Sequence, residues 1–107
     1  MEITEKLLQE KINNGEKIIV DFWAPWCRPC GLMKPIFEKV SEECINENSE
    51  VQLFTFNVEK NKNLAIQLGI RSIPTIKVFS EGQEVLSKVG SQSEGQIKEL
   101  VTQLING

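Results

Sequence analysis

The sequence has 107 residues, 40% of them hydrophobic and 25% charged, with a formal net charge of −3, which suits one domain over residues 1–107 with one core and no disulfide framework. It holds no basic stripe of the kind that phosphate backbones require, and no apolar run near the roughly 20 residues that span a bilayer, so nucleic acid and membrane are excluded as primary partners. The N-terminus, Met1-Glu2-Ile3-Thr4-Glu5-Lys6, lacks the apolar run of about 7–15 residues found in a signal peptide, so a cytoplasmic location is expected, where a close cysteine pair is more often catalytic or metal-binding than a staple.

Residues 1–3 allow a short edge strand. Thr4 caps a first helix over residues 5–13, with Leu7, Leu8 and Ile12 as its apolar stripe and Asn14-Gly15 as its stop. Residues 17–24 read as a strand that is apolar on both faces (Ile18, Ile19, Val20, Phe22, Trp23), and so lies inside a covered sheet. Pro25 ends it. A long helix follows over residues 27–47, with Met33, Ile36, Phe37, Val40 and Cys44 at helical spacing and Leu32 as a further candidate. Pro29 suits its first turn, while Pro35 removes an interior donor and predicts a kink.

Residues 51–58 form a second inner strand, and residues 61–68 a short helix ended by Gly69 in the left-handed conformation. Residues 75–80 and 84–89 are strands paired as a hairpin across Glu81-Gly82-Gln83. Ser93 caps a last helix to about residue 105, with Ile97, Leu100, Val101, Leu104 and Ile105 turned inward. Strand–helix–strand crossovers make the first inner strands parallel, and the hairpin adds antiparallel ones. The expected architecture is α/β, a mixed sheet with helices on both faces.

Cys27 and Cys30 stand three apart at the start of the long helix. The unsatisfied amides and positive end of a helix stabilise an anion there, and a thiolate is what attacks a disulfide sulfur. Arg28 adds positive charge beside Cys27, and Pro29 stiffens the link. Cys30, one turn inward, can reach the sulfur of Cys27 and resolve a mixed disulfide. Asp21 lies in an apolar strand six residues earlier, where a carboxylate is costly and its pKa is raised. It either exchanges a proton with Cys30 or marks a strand end paired with a lysine. The neighbouring cysteines favour the first reading, because strongly perturbed groups cluster at reactive sites.

Zinc is the competing reading of a Cys-x-x-Cys pair. A structural zinc site takes four N or S ligands, and the sequence offers no histidine and only Cys44 besides, so no metal is expected. Cys44 reads as a small buried hydrophobe, with a secondary oxidisable thiol as the lesser alternative. Trp23 reads as core, and Trp26 as part of an apolar surface for a partner. The isomer of the Ile73–Pro74 bond does not follow from chemistry alone.

The run Val20-Asp21-Phe22-Trp23-Ala24-Pro25-Trp26-Cys27, the following Pro29-Cys30, Pro35, Gly69-Ile70-Arg71-Ser72-Ile73-Pro74-Thr75 and Lys88-Val89-Gly90 together resemble the thioredoxin family over nearly the whole chain. The resemblance implies a thioredoxin fold, with a central mixed sheet of four or five strands flanked by four helices. It implies a redox-active disulfide, Cys27–Cys30, with no bound cofactor, in which Cys27 is the nucleophile, Cys30 the resolving cysteine and Asp21 the buried proton acceptor. It also implies a cis Ile73–Pro74 bond facing the cysteines, with Arg28, Pro29 and Pro74 tuning the couple. The docking surface would be Trp26, Pro29, Ile73, Pro74, Val89 and Gly90, where the Ile73 backbone adds a strand of substrate. Electrons would come from NADPH through a separate flavoprotein, thioredoxin reductase, and pass to oxidised target proteins such as ribonucleotide reductase, peroxiredoxins and sulfoxide reductases. A monomer is expected.

The sequence departs from the family pattern at named places. Arg28 stands where glycine is usual, Gly31 where lysine is usual, and Thr55 where a lysine often lies near the buried aspartate. The N-terminus is a few residues short, which makes the first strand vestigial or absent. Arg28 predicts a somewhat less reducing couple, and loss of the lysine predicts a still higher pKa for Asp21. A different class of function, a thioredoxin-fold subunit bound through its surface without use of the thiols, remains the alternative to a protein-disulfide reductase.

Overall fold

The computed structural model describes residues 1–107. Helix α1 spans Glu5–Asn13; the Thr4 hydroxyl accepts from the Leu7 amide at 3.2 Å, and Gly15 takes φ 74° after the helix ends. Strand β1 (Ile18–Trp23) leads into α2 (Arg28–Asn46), β2 (Gln52–Asn57) and α3 (Lys62–Gln67). Strands β3 (Thr75–Ser80) and β4 (Gln83–Val89) then precede α4 (Glu94–Asn106). The sheet order is β2-β1-β3-β4, with β1 parallel to β2 and antiparallel to β3, and β3 antiparallel to β4.

The four-stranded form is therefore the one adopted. The short N-terminus supplies no full fifth strand, only a parallel bridge of Glu2 to Thr55 at the β2 edge. Ile3 donates to the Thr55 carbonyl and Thr55 to the Met1 carbonyl, both at 2.9 Å. The hairpin is tighter than its sequence suggests. Gln83 pairs with Ser80, leaving a turn of Glu81 and Gly82, both at positive φ (56° and 83°). Such a two-residue turn matches the twist of the strands it joins.

Every β1 residue but the last is buried, as expected of a strand covered on both faces. Ile19 belongs to the core shared with Met33, Phe37 and Val40 of α2 and Ile97, Leu100 and Leu104 of α4. Ile18, Val20 and Phe22 point the other way, to Leu8 of α1 and Leu64 of α3. Alternation along the strand thus turns Asp21 and Trp23 toward α2.

Three side chains expected inside are outside. Leu7 is 42% exposed, Leu32 66% and Ile105 49%. Leu8, with half-buried Ile12 beside it, fills the α1 contact, because a short helix lying on a sheet buries a narrow stripe; on α4 the core-facing position in the last turn is taken by Leu104 and not by Ile105. Cys44 is buried in the α2 and α4 core, and burial pushes its thiol pKa up.

Candidate active site

Cys27 is the N-cap of α2, and its sulfur accepts from the Cys30 amide at 3.3 Å. That amide is one of the four that a helix start leaves without an intrahelical partner. Its aim at sulfur favours a thiolate over a thiol, as does the helix end. The two cysteines are joined as a disulfide. Their exposures differ in the way their order suggests, 8% for Cys27 and 1% for Cys30. Arg28 and Pro29 are both exposed in the first turn, where a missing proline donor costs nothing.

Asp21 is fully buried, and neither carboxylate oxygen has a hydrogen-bond partner. Burial raises its pKa from 3.8 to about 7, the Lys34 ammonium opposes the rise and Glu2 adds to it. Thr55 is the β2 partner of Asp21, so the position where a lysine was missed does lie beside the carboxyl. A cation nevertheless reaches the region from α2. Lys34 sits four residues after Cys30, on the same helical face, and its Nζ lies 4.2 Å from the centroid of the Trp23 ring. Neither Lys34 nor Glu2 stood out in the sequence. The i, i+4 spacing from Cys30 was a signal for Lys34; nothing local marked Glu2, whose contacts are made across 21 to 55 residues of chain.

The segment before β3 closes the site from the opposite side. The Ile73–Pro74 bond is cis. Ile73 packs against the small cluster of Ala24, Cys27 and Cys30, while Pro74 is buried. The Gly90 amide donates to the Pro74 carbonyl at 2.8 Å, with Gly90 at φ 93°. This bond ties the end of β4 to the proline loop. Trp26 (69% exposed) and Val89 (67% exposed) stand out as apolar side chains. The largest groove, about 570 Å³, lies elsewhere, between β4 and α4 along Leu86, Lys88, Gln92, Gln96 and Glu99. A disulfide reached at Cys27 alone, beside the exposed apolar side chains Trp26 and Val89, suits a polypeptide segment better than an engulfed small molecule. No three histidine, cysteine or acidic side chains come together as a metal site, and no helix is long and apolar enough to cross a membrane.

The family model described as Thioredoxin matches residues 1–103. A thioredoxin of Buchnera aphidicola is 37% identical over 107 residues, which cover 99% of this chain and 96% of that protein. One from Pyropia yezoensis is 35% identical over 98 residues, 92% of this chain and 89% of the relative. Among solved structures, chloroplastic thioredoxin z has a TM-score of 0.84 at 32% identity, covering 99% of this chain and 94% of that one. A mutant thioredoxin from Halobacterium salinarum gives 0.82 at 27%, covering 96% and 87%. The four helices and mixed sheet match their fold. Proteins of this kind work through a redox-active disulfide without a prosthetic group, act on oxidised targets and are reduced by a reductase. With its cysteine pair at the head of α2, this chain belongs to the thioredoxin family and is a thiol–disulfide oxidoreductase, a protein-disulfide reductase.

Proposed function

We propose that Cys27 is the attacking thiol, Cys30 the resolving thiol and Asp21 the proton acceptor of this reductase. In the reduced protein, the Cys27 thiolate attacks one sulfur of a target disulfide. A Cys27–target bond forms as the target S–S bond breaks, and the second target sulfur leaves as a thiolate that takes up a proton. Cys30 then gives its proton to Asp21 and attacks the Cys27 sulfur. The Cys27–Cys30 bond forms, the mixed disulfide breaks, and the first target sulfur leaves. Two electrons have passed to the target, whose two leaving thiolates take their protons from solvent, to which Asp21 returns the one it accepted from Cys30.

The observation that carries this assignment is the asymmetry of the pair, with Cys27 capping the helix and Cys30 sealed behind it. Supporting it, Asp21 has a pKa raised to about 7, which lets it take and return a proton near neutrality. Trp26, Ile73, Pro74, Val89 and Gly90 form the docking surface in this reading. An extended target segment pairs with the Ile73 backbone, and Arg28, Pro29 and Pro74 tune the couple. The donor is an NADPH-fed flavoprotein, thioredoxin reductase. The protein acts as a cytoplasmic monomer, with residues 1–107 as one functional unit.

The test is disulfide reduction in insulin, driven first by dithiothreitol and then by NADPH with a thioredoxin reductase. Both should support turnover. Cys30→Ser should accumulate a covalent adduct with an oxidised target, and Cys27→Ser should form none. Adduct formation by Cys27→Ser alone would reverse the assignment of the two thiols, and turnover with dithiothreitol but not with the reductase would reject the donor.

A further inference from the structure

The pleat of the sheet puts four side chains on one face at its β2 edge. Asp21 and Trp23 alternate along β1, and Thr55 and Asn57 are their partners on β2. Glu2, carried in by the N-terminal bridge, lays its carboxylate across this group. Its Oε1 accepts from Trp23 Nε1 at 2.9 Å and from the Thr55 hydroxyl at 2.7 Å. Its Oε2 accepts from the Asn57 amide at 2.7 Å. Three donors on three positions hold the carboxylate in place. Trp23 meanwhile carries the Lys34 ammonium on its ring face at 4.2 Å. One indole therefore holds an anion at its edge and a cation on its face.

Asp21 is the silent member of the group. Its oxygens have no partner, and the hydroxyl of its β2 partner Thr55 is committed to Glu2. Burial weighs most on its protonation; with no hydrogen bond to fix it, the local field of charges is what adjusts it further, and in a buried site that field is little screened. Its strand partners Thr55 and Ile76 carry no charge. Lys34 from α2 and Glu2 from the N-terminal bridge are the charged groups that bear on it.

We propose that Glu2 and Lys34 are positioning residues for disulfide exchange, an opposed charge pair held by Trp23 that sets the proton occupancy of Asp21. Glu2 favours the protonated carboxyl and Lys34 the ionised one. Lys34 brings to Asp21 from α2 a positive charge that Thr55 does not supply from β2, and Glu2 opposes it. The inference rests on Asp21 being the proton acceptor.

The test reads Asp21 directly, by carbon-13 NMR titration of its side-chain carboxyl in the oxidised protein, for Glu2→Gln, Lys34→Gln and Lys34→Arg. Glu2→Gln should lower the midpoint and Lys34→Gln should raise it, each by about 0.3 units or more, a twofold change in proton affinity. Lys34→Arg, which keeps the charge, should stay near the parent. The pH profile of mixed-disulfide resolution should move with the midpoints. Loosened packing would hydrate the carboxyl and lower both midpoints, so shifts of the same sign overturn the proposal, as does an unmoved midpoint in Glu2→Gln. Opposite shifts with an unmoved exchange profile overturn the link to exchange. Asp21→Asn with a parental profile would then place that failure in the proton-acceptor reading, not in the charge pair.

Discussion

Arg28 occupies the first helical position, exposed and next to the sulfur-bearing N-cap. Its charge adds to the helix end and to the Cys30 amide in favouring the Cys27 thiolate, and so the reduced form of the couple. Arg28→Gly should therefore make the protein more reducing. A full unit of thiolate pKa corresponds to about 1.4 kcal/mol, or on the order of 30 mV for a two-electron couple. An exposed guanidinium is screened by solvent, so a shift of roughly 10–20 mV to more negative potential is expected. Equilibration with glutathione measures it, and the gap between variant and parent should narrow at high salt. An unchanged potential would remove Arg28 from the tuning residues.

Capping holds the elements that carry the site. Cys27 caps α2 with a sulfur, the weakest of the three N-caps that bond through a side chain, because sulfur is a poorer hydrogen-bond acceptor than the hydroxyl oxygens of Thr4 and Ser93. The stability of the α2 face falls to its partner. Helix α4 opens with a full capping box, in which Ser93 accepts from the Gln96 amide at 3.1 Å and Gln96 Oε1 accepts from the Ser93 amide at 2.8 Å. Ser93→Ala should lower the unfolding free energy by about 1 kcal/mol. Denaturant titration measures this through the transition midpoint, and disulfide-reduction activity should be preserved because α4 contributes no residue to the site. A loss of activity at full folding would contradict that separation. The edge of β2 shows the same economy: the backbone of Met1 to Ile3 pairs only with Thr55, yet this short bridge delivers Glu2.

At the scale of the whole molecule, the apolar core on the α2 side of the sheet encloses one carboxylate. Ile19 and Ile76, on the same face as Asp21, are both fully buried, so the site is purchased with stability. The folded pKa of Asp21 is raised from 3.8 to about 7. Below about pH 4 both states hold the proton and the group contributes nothing. Between about 4 and 7 the folded state keeps a proton that the unfolded chain releases, so stability falls as pH rises. Above that window the cost is constant, roughly 4 kcal/mol at about 1.4 per unit. Asp21→Asn should remove this slope and stabilise the protein at pH 8 by ~2–3 kcal/mol, once the unpartnered amide is counted. Urea unfolding across that pH range measures it. An equal slope in parent and variant would mean that Asp21 titrates normally in the folded state.

The sequence alone determined the elements and the chemistry of the pair. Two-sided apolar runs made β1 and β2 inner strands, Thr4, Ser93, Gly15 and Gly69 marked helix ends, and Cys-x-x-Cys at a helix start named the reacting atoms, because each of these signals is local. The tertiary structure decided what depends on distant chain meeting distant chain. It reduced the first strand to one bridge, Glu2 to Thr55 at the β2 edge, a pairing between residues more than fifty apart in the chain. It turned Leu7 and Ile105 outward, since helix faces are chosen by what they pack on. It set Glu2 and Lys34 around Asp21, because the field at a buried carboxyl is summed through space; the spacing of Lys34 from Cys30 left a trace in the sequence, and Glu2 left none.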